Sequence, residues 1–278
     1  MNFCRHVPAP PLSAFVEWFW YYDDLSTDHS REHVLPDGTF ELVINLAGPP
    51  RRLFAQENVQ SYRSFKRAWL SGAQSGYLVI DVINKSSMMG VHFRPGGIAA
   101  FAGFPSHELK DQVVELDHIW GIEAWDWHEQ LQAARGPAAK FAVLEAWLLE
   151  RLRGTPPTDA RARRVAHAIR EFEREAEFPD IRATARSLNI SHKHLIEEFR
   201  RVTGLTPKLY CRIQRFQRVL ASINTRKQIE WAAVAVSCGY FDQAHFIHDF
   251  TAFSGVNPSA YLRHRTGYPG FIRASGEG

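Results

Sequence analysis

The stretch that decides the fold is FRRVTGLTPKLYCR at residues 199–212, which recurs 51 positions later as FTAFSGVNPSAYLR at residues 250–263. Phe, Gly, Pro, Tyr and Arg recur in register, and Thr203 aligns with Ser254. The glycine of each copy suits the left-handed residue that ends a helix, and the proline suits the first turn of the next helix. Such a repeat indicates that one supersecondary unit has been built twice.

Each copy has the pattern of a short helix, a tight turn and a second, capped helix. In the first copy, residues 181–187 form the short helix, and Ser191 caps the next one because its hydroxyl accepts an unpaired N–H of the first turn. In the second copy, residues 229–237 form the short helix and Asp242 is the cap. This pattern predicts a helix-turn-helix, a unit that places its second helix in the DNA major groove.

The two predicted units span residues 181–203 and 229–254. In each second helix, two large apolar residues four positions apart form a buried face, and the remaining residues point outward. We predict that the outward residues contact DNA; they are His192, Lys193, Ile196, Glu197 and Arg200 in the first unit, and Gln243, Ala244, His245, Ile247 and His248 in the second.

A long helix is predicted between the two units, over residues 206–223. One side of it is apolar, and the other carries Lys208, Arg212, Arg215 and Arg218. We expect this basic side to be available to DNA phosphates.

Residues 160–265 resemble the DNA-binding domain of AraC/XylS-type transcriptional regulators. The resemblance rests on CGYFDQAHF at residues 238–246 and on both copies of the repeat. It implies an all-α domain of two helix-turn-helix units joined by a long helix, and an activator or repressor rather than an enzyme. It also implies double-stranded DNA as the partner, with RNA polymerase and a second copy of the chain as further partners.

The chain departs from that family at three outward positions. Many members carry Gln or Arg where Ile196 and Glu197 stand here, and often Arg where His248 stands. Glu197 therefore has two open roles. Its carboxylate could accept a hydrogen bond from cytosine N4, or it could pair with Arg200 or Arg201 on its own helix.

Charge divides the chain into two halves of opposite sign. Residues 158–278 contain 19 Lys and Arg against 12 Asp and Glu, a net charge of +7, which leaves −4 for residues 1–157. The sign changes across GTPPT at residues 154–158, a stretch with the composition of a linker. We therefore predict a sensor or dimerisation domain at residues 1–154, a DNA-binding domain at residues 158–266 and a tail at residues 267–278.

The sequence gives no signal for a membrane or for disulfide bonds. No signal segment opens the chain, and no run of 18 apolar residues is present. The three cysteines, Cys4, Cys211 and Cys238, lack metal-site spacing and suit reduced thiols in the cytoplasm.

The N-terminal half predicts strands followed by helices, an order typical of an α+β domain. The predicted strands are residues 40–46, 77–83 and 90–93, and the predicted helices are residues 98–104, 122–134 and 137–152. We expect a small β-barrel or cupin-like sheet with closing helices. LPDGTFELVI at residues 35–44 and GVHFRPGG at residues 90–97 resemble a domain of unassigned function found on many AraC-type regulators.

A cupin-like enzyme that binds a small molecule or a metal is the competing class for this half. Such metal sites use an H-x-H pair, a glutamate and a later histidine. Here His29 and His33 lie in a stretch with the composition of a surface loop, and His92 is a lone, packed residue of a predicted strand. We therefore expect neither a metal nor another cofactor.

Aromatic residues cluster in WFWYY at residues 18–22. Aromatic walls line many apolar pockets, so a small-molecule effector site is one interpretation, and core or dimer surface is the other. The candidate ligand-binding residues are Trp18, Trp20, Tyr22, His92 and Arg94.

Overall fold

The structure is a computed structural model that describes residues 2–154, 160–175, 179–224, 229–268 and 270–274. It has an α+β fold, with antiparallel sheets in the N-terminal half and helices in the C-terminal half, as the sequence predicts. The predicted domain boundary at residues 154–158 lies, from residue 155 onward, outside the described residues.

Two antiparallel sheets make up the N-terminal half, and the last strand of the second sheet comes from the C-terminal segment. Their strands are β1 (Asn2–His6), β2 (Val16–Asp23), β3 (Arg31–Val34), β4 (Glu41–Ala47), β5 (Arg51–Ala55), β6 (Asn58–Phe65), β7 (Ala68–Ser71), β8 (Leu78–Asp81), β9 (Ser87–Phe93), β10 (Val113–Glu115) and β11 (Phe271–Arg273). The first sheet has the order β1-β2-β9-β4-β7-β10, and the second has the order β11-β3-β8-β5-β6.

The first sheet is covered on both faces. Alternate residues of β2, such as Phe19 and Tyr21, enter the main core, which continues into the C-terminal helices. Trp20 and Tyr22 point the other way and pack in a smaller apolar cluster that includes residues of the second sheet. The aromatic run at residues 18–22 is therefore split between the core and the space between the sheets.

Eleven α-helices are described, four ahead of the predicted boundary and seven after it. They are α1 (Ala99–Ala102), α2 (Asp117–Trp120), α3 (Glu123–Ala133), α4 (Gly136–Arg153), α5 (Ala160–Arg174), α6 (Ile181–Ser187), α7 (His192–Thr203), α8 (Pro207–Asn224), α9 (Trp231–Ser237), α10 (Gln243–Ser254) and α11 (Pro258–His264). The short helix predicted at residues 229–237 begins at Trp231, after Glu230 in extended conformation.

The C-terminal segment returns to the N-terminal half. Strand β11 pairs with β3, with Phe271 opposite Val34, and Leu35 N–H donates to the Gly270 carbonyl at 2.9 Å. Residues 271–273 of the predicted tail therefore form an edge strand of the second sheet.

The histidines predicted to lie in a surface loop are placed differently. His33 lies in β3 and is buried, and its ring stacks on Tyr77 with 4.4 Å between centroids. His29 lies before β3, and its side chain is also buried, 2.7 Å from the Glu32 carboxylate. That prediction was wrong because the polar composition reflects buried hydrogen bonds rather than exposure to water.

Candidate nucleic-acid interface

The C-terminal helices form two copies of a three-helix unit, α5-α6-α7 and α8-α9-α10. In each unit the third helix, here called the recognition helix, packs on the long first helix through a large apolar pair. Leu195 and Phe199 of α7 are buried in the first unit, and Phe246 and Phe250 of α10 are buried in the second. The helix-turn-helix units predicted from the repeat are present.

The two recognition helices begin and end alike. Ser191 accepts a hydrogen bond from His194 N–H at 3.1 Å, and Asp242 accepts one from His245 N–H at 2.7 Å. Each helix ends at a left-handed glycine.

The near match between Thr203 and Ser254 has a structural cause. Each hydroxyl donates to the carbonyl four residues back, at 2.8 Å to Phe199 and at 2.7 Å to Phe250. It also accepts from the N–H two residues ahead, at 3.2 and 3.3 Å. A side-chain hydroxyl on Cβ can make both hydrogen bonds, so both copies of the repeat keep them although one has Thr and the other Ser.

The residues predicted to contact DNA lie on the open side of the recognition helices. Ile196 is half-buried, and the other nine outward residues are exposed. Glu197 does not pair with Arg200 or Arg201, since its nearest cation is Lys193 Nζ at 3.9 Å. Both side chains are exposed, so this pair is weak and leaves the carboxylate open to a partner.

A buried acid anchors each recognition helix and was missed in the sequence. Glu198 in α7 and Asp249 in α10 stand 51 positions apart, in register with the repeat. Arg164 Nε donates to Glu198 at 2.8 Å, and Arg212 Nη2 donates to Asp249 at 2.6 Å. The hydrogen bond from Arg164 holds the pKa of Glu198 below its usual value. Glu198 and Asp249 occupy equivalent positions of the two copies, and this match was the sequence signal for the two anchoring acids.

Asp249→Asn is expected to lower the free energy of unfolding by about 2 kcal/mol, because it leaves the Arg212 guanidinium without its counter-charge. This value lies below that for a fully buried pair because Arg212 is 33% exposed. Denaturant unfolding measures the effect. Glu197→Gln is the control and should change stability by less than about 0.5 kcal/mol. An equal effect of both substitutions would contradict the anchoring role of Asp249.

The basic side of α8 is more occupied than its sequence indicates. Arg212 forms the ion pair with Asp249, and Arg215 lies 5.1 Å from the ring centre of Tyr240. Arg218 is half-buried, whereas Lys208 is exposed. The expectation of an open basic face is therefore corrected for the arginines, because the second unit packs over them.

The N-terminal half covers the C-terminal ends of both recognition helices. The Ser106 hydroxyl donates to the Val202 carbonyl of α7 at 2.8 Å. The His33 ring nitrogen donates to the Ser254 carbonyl of α10 at 2.9 Å. Burial lowers the pKa of His33, which suits a neutral ring that donates through Nδ1. The N-terminal ends of both helices, which contact bases in helix-turn-helix proteins, stay open.

The LPDG turn contacts α8, the helix that joins the two units. Gln214 donates to the Asp37 carbonyl and Gln217 donates to the Pro36 carbonyl, each at 2.7 Å. Gly38 has a left-handed φ of 88°, and a Cβ there would lie 3.2 Å from the Tyr210 ring. This turn is therefore shaped to lie against α8.

Four of the five candidate ligand residues share one sheet face. Trp18 pairs in register with His92, and Trp20 and Tyr22 follow at alternate positions of β2. The Trp18 and His92 rings stack with 4.2 Å between centroids. Arg94 is not part of this group, because its side chain is exposed and donates to the Ser13 carbonyl.

His92 is surrounded by acidic neighbours. Its Nδ1 donates to Glu41 at 2.6 Å, and its Nε2 lies 3.6 Å from Asp37 and 3.8 Å from Glu17. Burial alone would lower the pKa of His92, but Glu41 and then the other two carboxylates raise it to about 9.

Among the described residues, no group of three or more His, Cys, Asp or Glu could hold a metal ion.

Two family models match separate parts of the chain. Residues 4–115 match a domain of unknown function (DUF6597), and residues 184–264 match a helix-turn-helix domain. ToxT from Vibrio cholerae has a similar structure, with 9% identity over 95% of this chain and 98% of that chain and a TM-score of 0.46. A DNA-binding transcriptional dual regulator from Escherichia coli K-12 matches 36% of this chain and 95% of its own, with 23% identity and a TM-score of 0.32. No curated protein matches the chain.

Two helix-turn-helix units with open recognition helices define the chain as a DNA-binding transcription regulator. The chain carries an AraC-type helix-turn-helix domain at residues 184–264, and a domain of unknown function at residues 4–115 lies ahead of it. In the part of the chain that the structure describes, none of the helices combines the length and apolar character needed to span a bilayer.

Proposed function

We propose that one chain binds DNA through both recognition helices, in successive major-groove segments on one face of the duplex. The observation that carries this proposal is the matched geometry of α7 and α10, which share cap, buried acid and left-handed end. The joining helix α8 has 18 residues, about 27 Å in length. That length suits two helices that enter the groove about 34 Å apart.

The N-terminal half is proposed to modulate this binding, either through a small ligand or through a second copy of the chain. Support comes from its hydrogen bonds to the ends of both recognition helices and to α8. Asp37 joins the two parts, because its carboxylate faces His92 and its carbonyl accepts from Gln214. If the chain is an activator, RNA polymerase is the further partner that we propose; a repressor does not need it.

A mobility-shift assay with the full chain tests the DNA-binding role on the promoter beside its own gene. We expect a shifted complex that survives excess random DNA and weakens steeply as salt rises, because bound cations are released from the phosphates. Equal competition by random and promoter DNA would contradict sequence-specific regulation.

Gln243→Ala is expected to cost about 1–3 kcal/mol on the preferred site and to relax base choice at one position. Gln243 is exposed at the start of α10, where its amide can bond adenine through two hydrogen bonds. Binding to a randomised half-site library measures the effect. Lys193→Ala is the comparison: it should weaken specific and random DNA alike and lower the salt slope by about 1. If Gln243→Ala behaved in the same way, its role in reading bases would be wrong.

Glu197→Gln separates the two remaining roles of that carboxylate. If Glu197 accepts from cytosine N4, the substitution should weaken only the sites that carry that base, by about 1–3 kcal/mol. If it only repels phosphate while paired to Lys193, every DNA should bind more tightly. The same half-site library distinguishes these results, and uniform tightening would exclude the contact with cytosine.

A further inference from the structure

One short segment of the N-terminal half lies against the ends of both recognition helices. It is GAQSGY at residues 72–77, here called the bridging segment, which joins β7 of the first sheet to β8 of the second. At one end, Ala73 is buried beside Gly204, where an added Cβ would lie 3.5 Å from the Ala73 methyl. At the other end, the Tyr77 ring lies against Gly255, where an added Cβ would lie only 2.6 Å from it. The two glycines are the equivalent, left-handed residues that end α7 and α10.

Hydrogen bonds from neighbouring residues of the N-terminal half strengthen both contacts. The buried Ser106 hydroxyl donates to the Val202 carbonyl in the last turn of α7. The His33 ring stacks on Tyr77 and donates to the Ser254 carbonyl in the last turn of α10. The last carbonyls of a helix have no partner within the helix, so they are open to such donors. Each recognition helix is therefore attached to the N-terminal half at the same point, its last turn.

The bridging segment is itself held in place along its length. The Asp111 carboxylate accepts hydrogen bonds from the Ser75 N–H at 2.5 Å and from the Ser75 hydroxyl at 2.9 Å. The Ala73 carbonyl accepts from the Asp111 N–H at 3.2 Å. Gly72 lies so close to Leu109 that an added Cβ would be 1.8 Å from the Leu109 carbonyl oxygen. The segment is therefore fastened along one side as well as at both ends, where it continues into strands.

We propose that the bridging segment fixes the distance between the two recognition helices, and that it thereby makes the chain selective for the spacing of the two half-sites in its operator. Two units joined through α8 alone can bend or twist relative to each other, whereas a second connection between the ends of α7 and α10 opposes that motion. A protein held in its bound geometry loses less freedom on binding, and it binds sites of another geometry poorly. The inference rests on the proposed binding of both helices to DNA and adds the residues that set their spacing.

Two test variants weaken the bridging segment and leave the outward residues of the recognition helices unchanged. Asp111→Gly removes the carboxylate that holds the segment, and glycine tolerates the left-handed φ of 57° at this position. Asp24→Gly is its control, because Asp24 is also exposed and left-handed, with a φ of 52°. Tyr77→Ala removes the ring that lies against the end of α10, and Tyr62→Ala on the exposed strand β6 is its control. Because Asp111 is exposed, Asp111→Gly decides the test alone if Tyr77→Ala does not fold.

The first arm measures the separation of the recognition helices in the full chain without DNA. Spin labels on Lys193→Cys and Ala244→Cys, which are equivalent exposed positions of α7 and α10, report the distance by double electron–electron resonance. Cys4→Ser removes the partly exposed native thiol, since Cys211 and Cys238 are buried. We expect one narrow distance distribution in the parent chain, and a distribution wider by about 1.5-fold or more in the test variants but not in their controls. Unchanged widths in the test variants, or equal widening in the controls, would overturn the proposal.

The second arm measures DNA affinity against half-site spacing. Fluorescence anisotropy compares the operator mapped by footprinting with operators that have one or two base pairs added or removed between the half-sites. We expect the parent chain to prefer the natural spacing, and Asp111→Gly to reduce that preference by about fivefold or more while Asp24→Gly leaves it unchanged. An undiminished preference in the test variants would overturn the proposal and leave the binding of both helices intact. Equal binding of all spacings by the parent chain would instead contradict the binding of both helices, and the spacing selectivity with it.

Discussion

Ala244→Glu in the second recognition helix is expected to lower the affinity for specific DNA by about 100-fold or more. Ala244 is exposed near the start of α10, the part of a recognition helix that meets base edges. A carboxylate there would face the phosphates and the acceptor-rich groove floor, and such like-charge contacts cost several kcal/mol, or about 100-fold in affinity. Fluorescence anisotropy with labelled promoter DNA measures this change.

Ala133→Glu is the matched control. Ala133 is also exposed and ends helix α3, in the N-terminal half. Ala133→Glu adds the same charge as Ala244→Glu but at a distance from α10. It should therefore change the affinity for DNA only by the small general effect of one added negative charge. Equal losses from the two substitutions would show that net charge, and not the face of α10, determines binding.

Phe250→Ala is expected to lower the free energy of unfolding by about 3–5 kcal/mol. Phe250 is fully buried, and its ring packs edge-on against Phe216, Phe246 and Tyr261. These rings belong to α8, α10 and α11, so the cavity would loosen the second unit from the helix that carries it. Denaturant unfolding followed by circular dichroism measures the loss.

Phe241→Ala supplies the control with the same change of residue in the same unit. Phe241 lies in the turn before α10 and is 88% exposed, so its removal should change stability by less than about 0.5 kcal/mol. A small effect of Phe250→Ala would mean that the second unit is not packed on α8 as described.

The parts of the site that depend on neighbouring residues could be predicted from the sequence. Ser191 and Asp242 cap their helices by bonding an N–H three residues ahead, and Gly204 and Gly255 end them through their own backbone freedom. These are short-range effects, so a repeated pattern at fixed spacing is sufficient to reveal them.

The features that were missed depend on contacts between distant parts of the chain. His33 has polar neighbours in sequence, yet it is buried because its acceptor, Ser254, comes from α10. The three-residue strand β11 is too short to carry a pattern and forms only against β3. Arg212 lies on the basic side of α8, and its ion pair with Asp249 of α10 has no signal near it in the sequence. The burial of His33, the formation of β11 and the ion pair of Arg212 therefore depend on tertiary contacts and not on local propensity.

Footprinting of a single chain on its operator tests the central claim most directly. The account predicts two short protected patches on one face of the duplex, with centres about one helical turn, or 34 Å, apart. Ala244→Glu should remove the patch read by α10, and His192→Glu at the exposed start of α7 should remove the other. A single patch that is unaffected by substitutions in one of the two recognition helices would contradict the account.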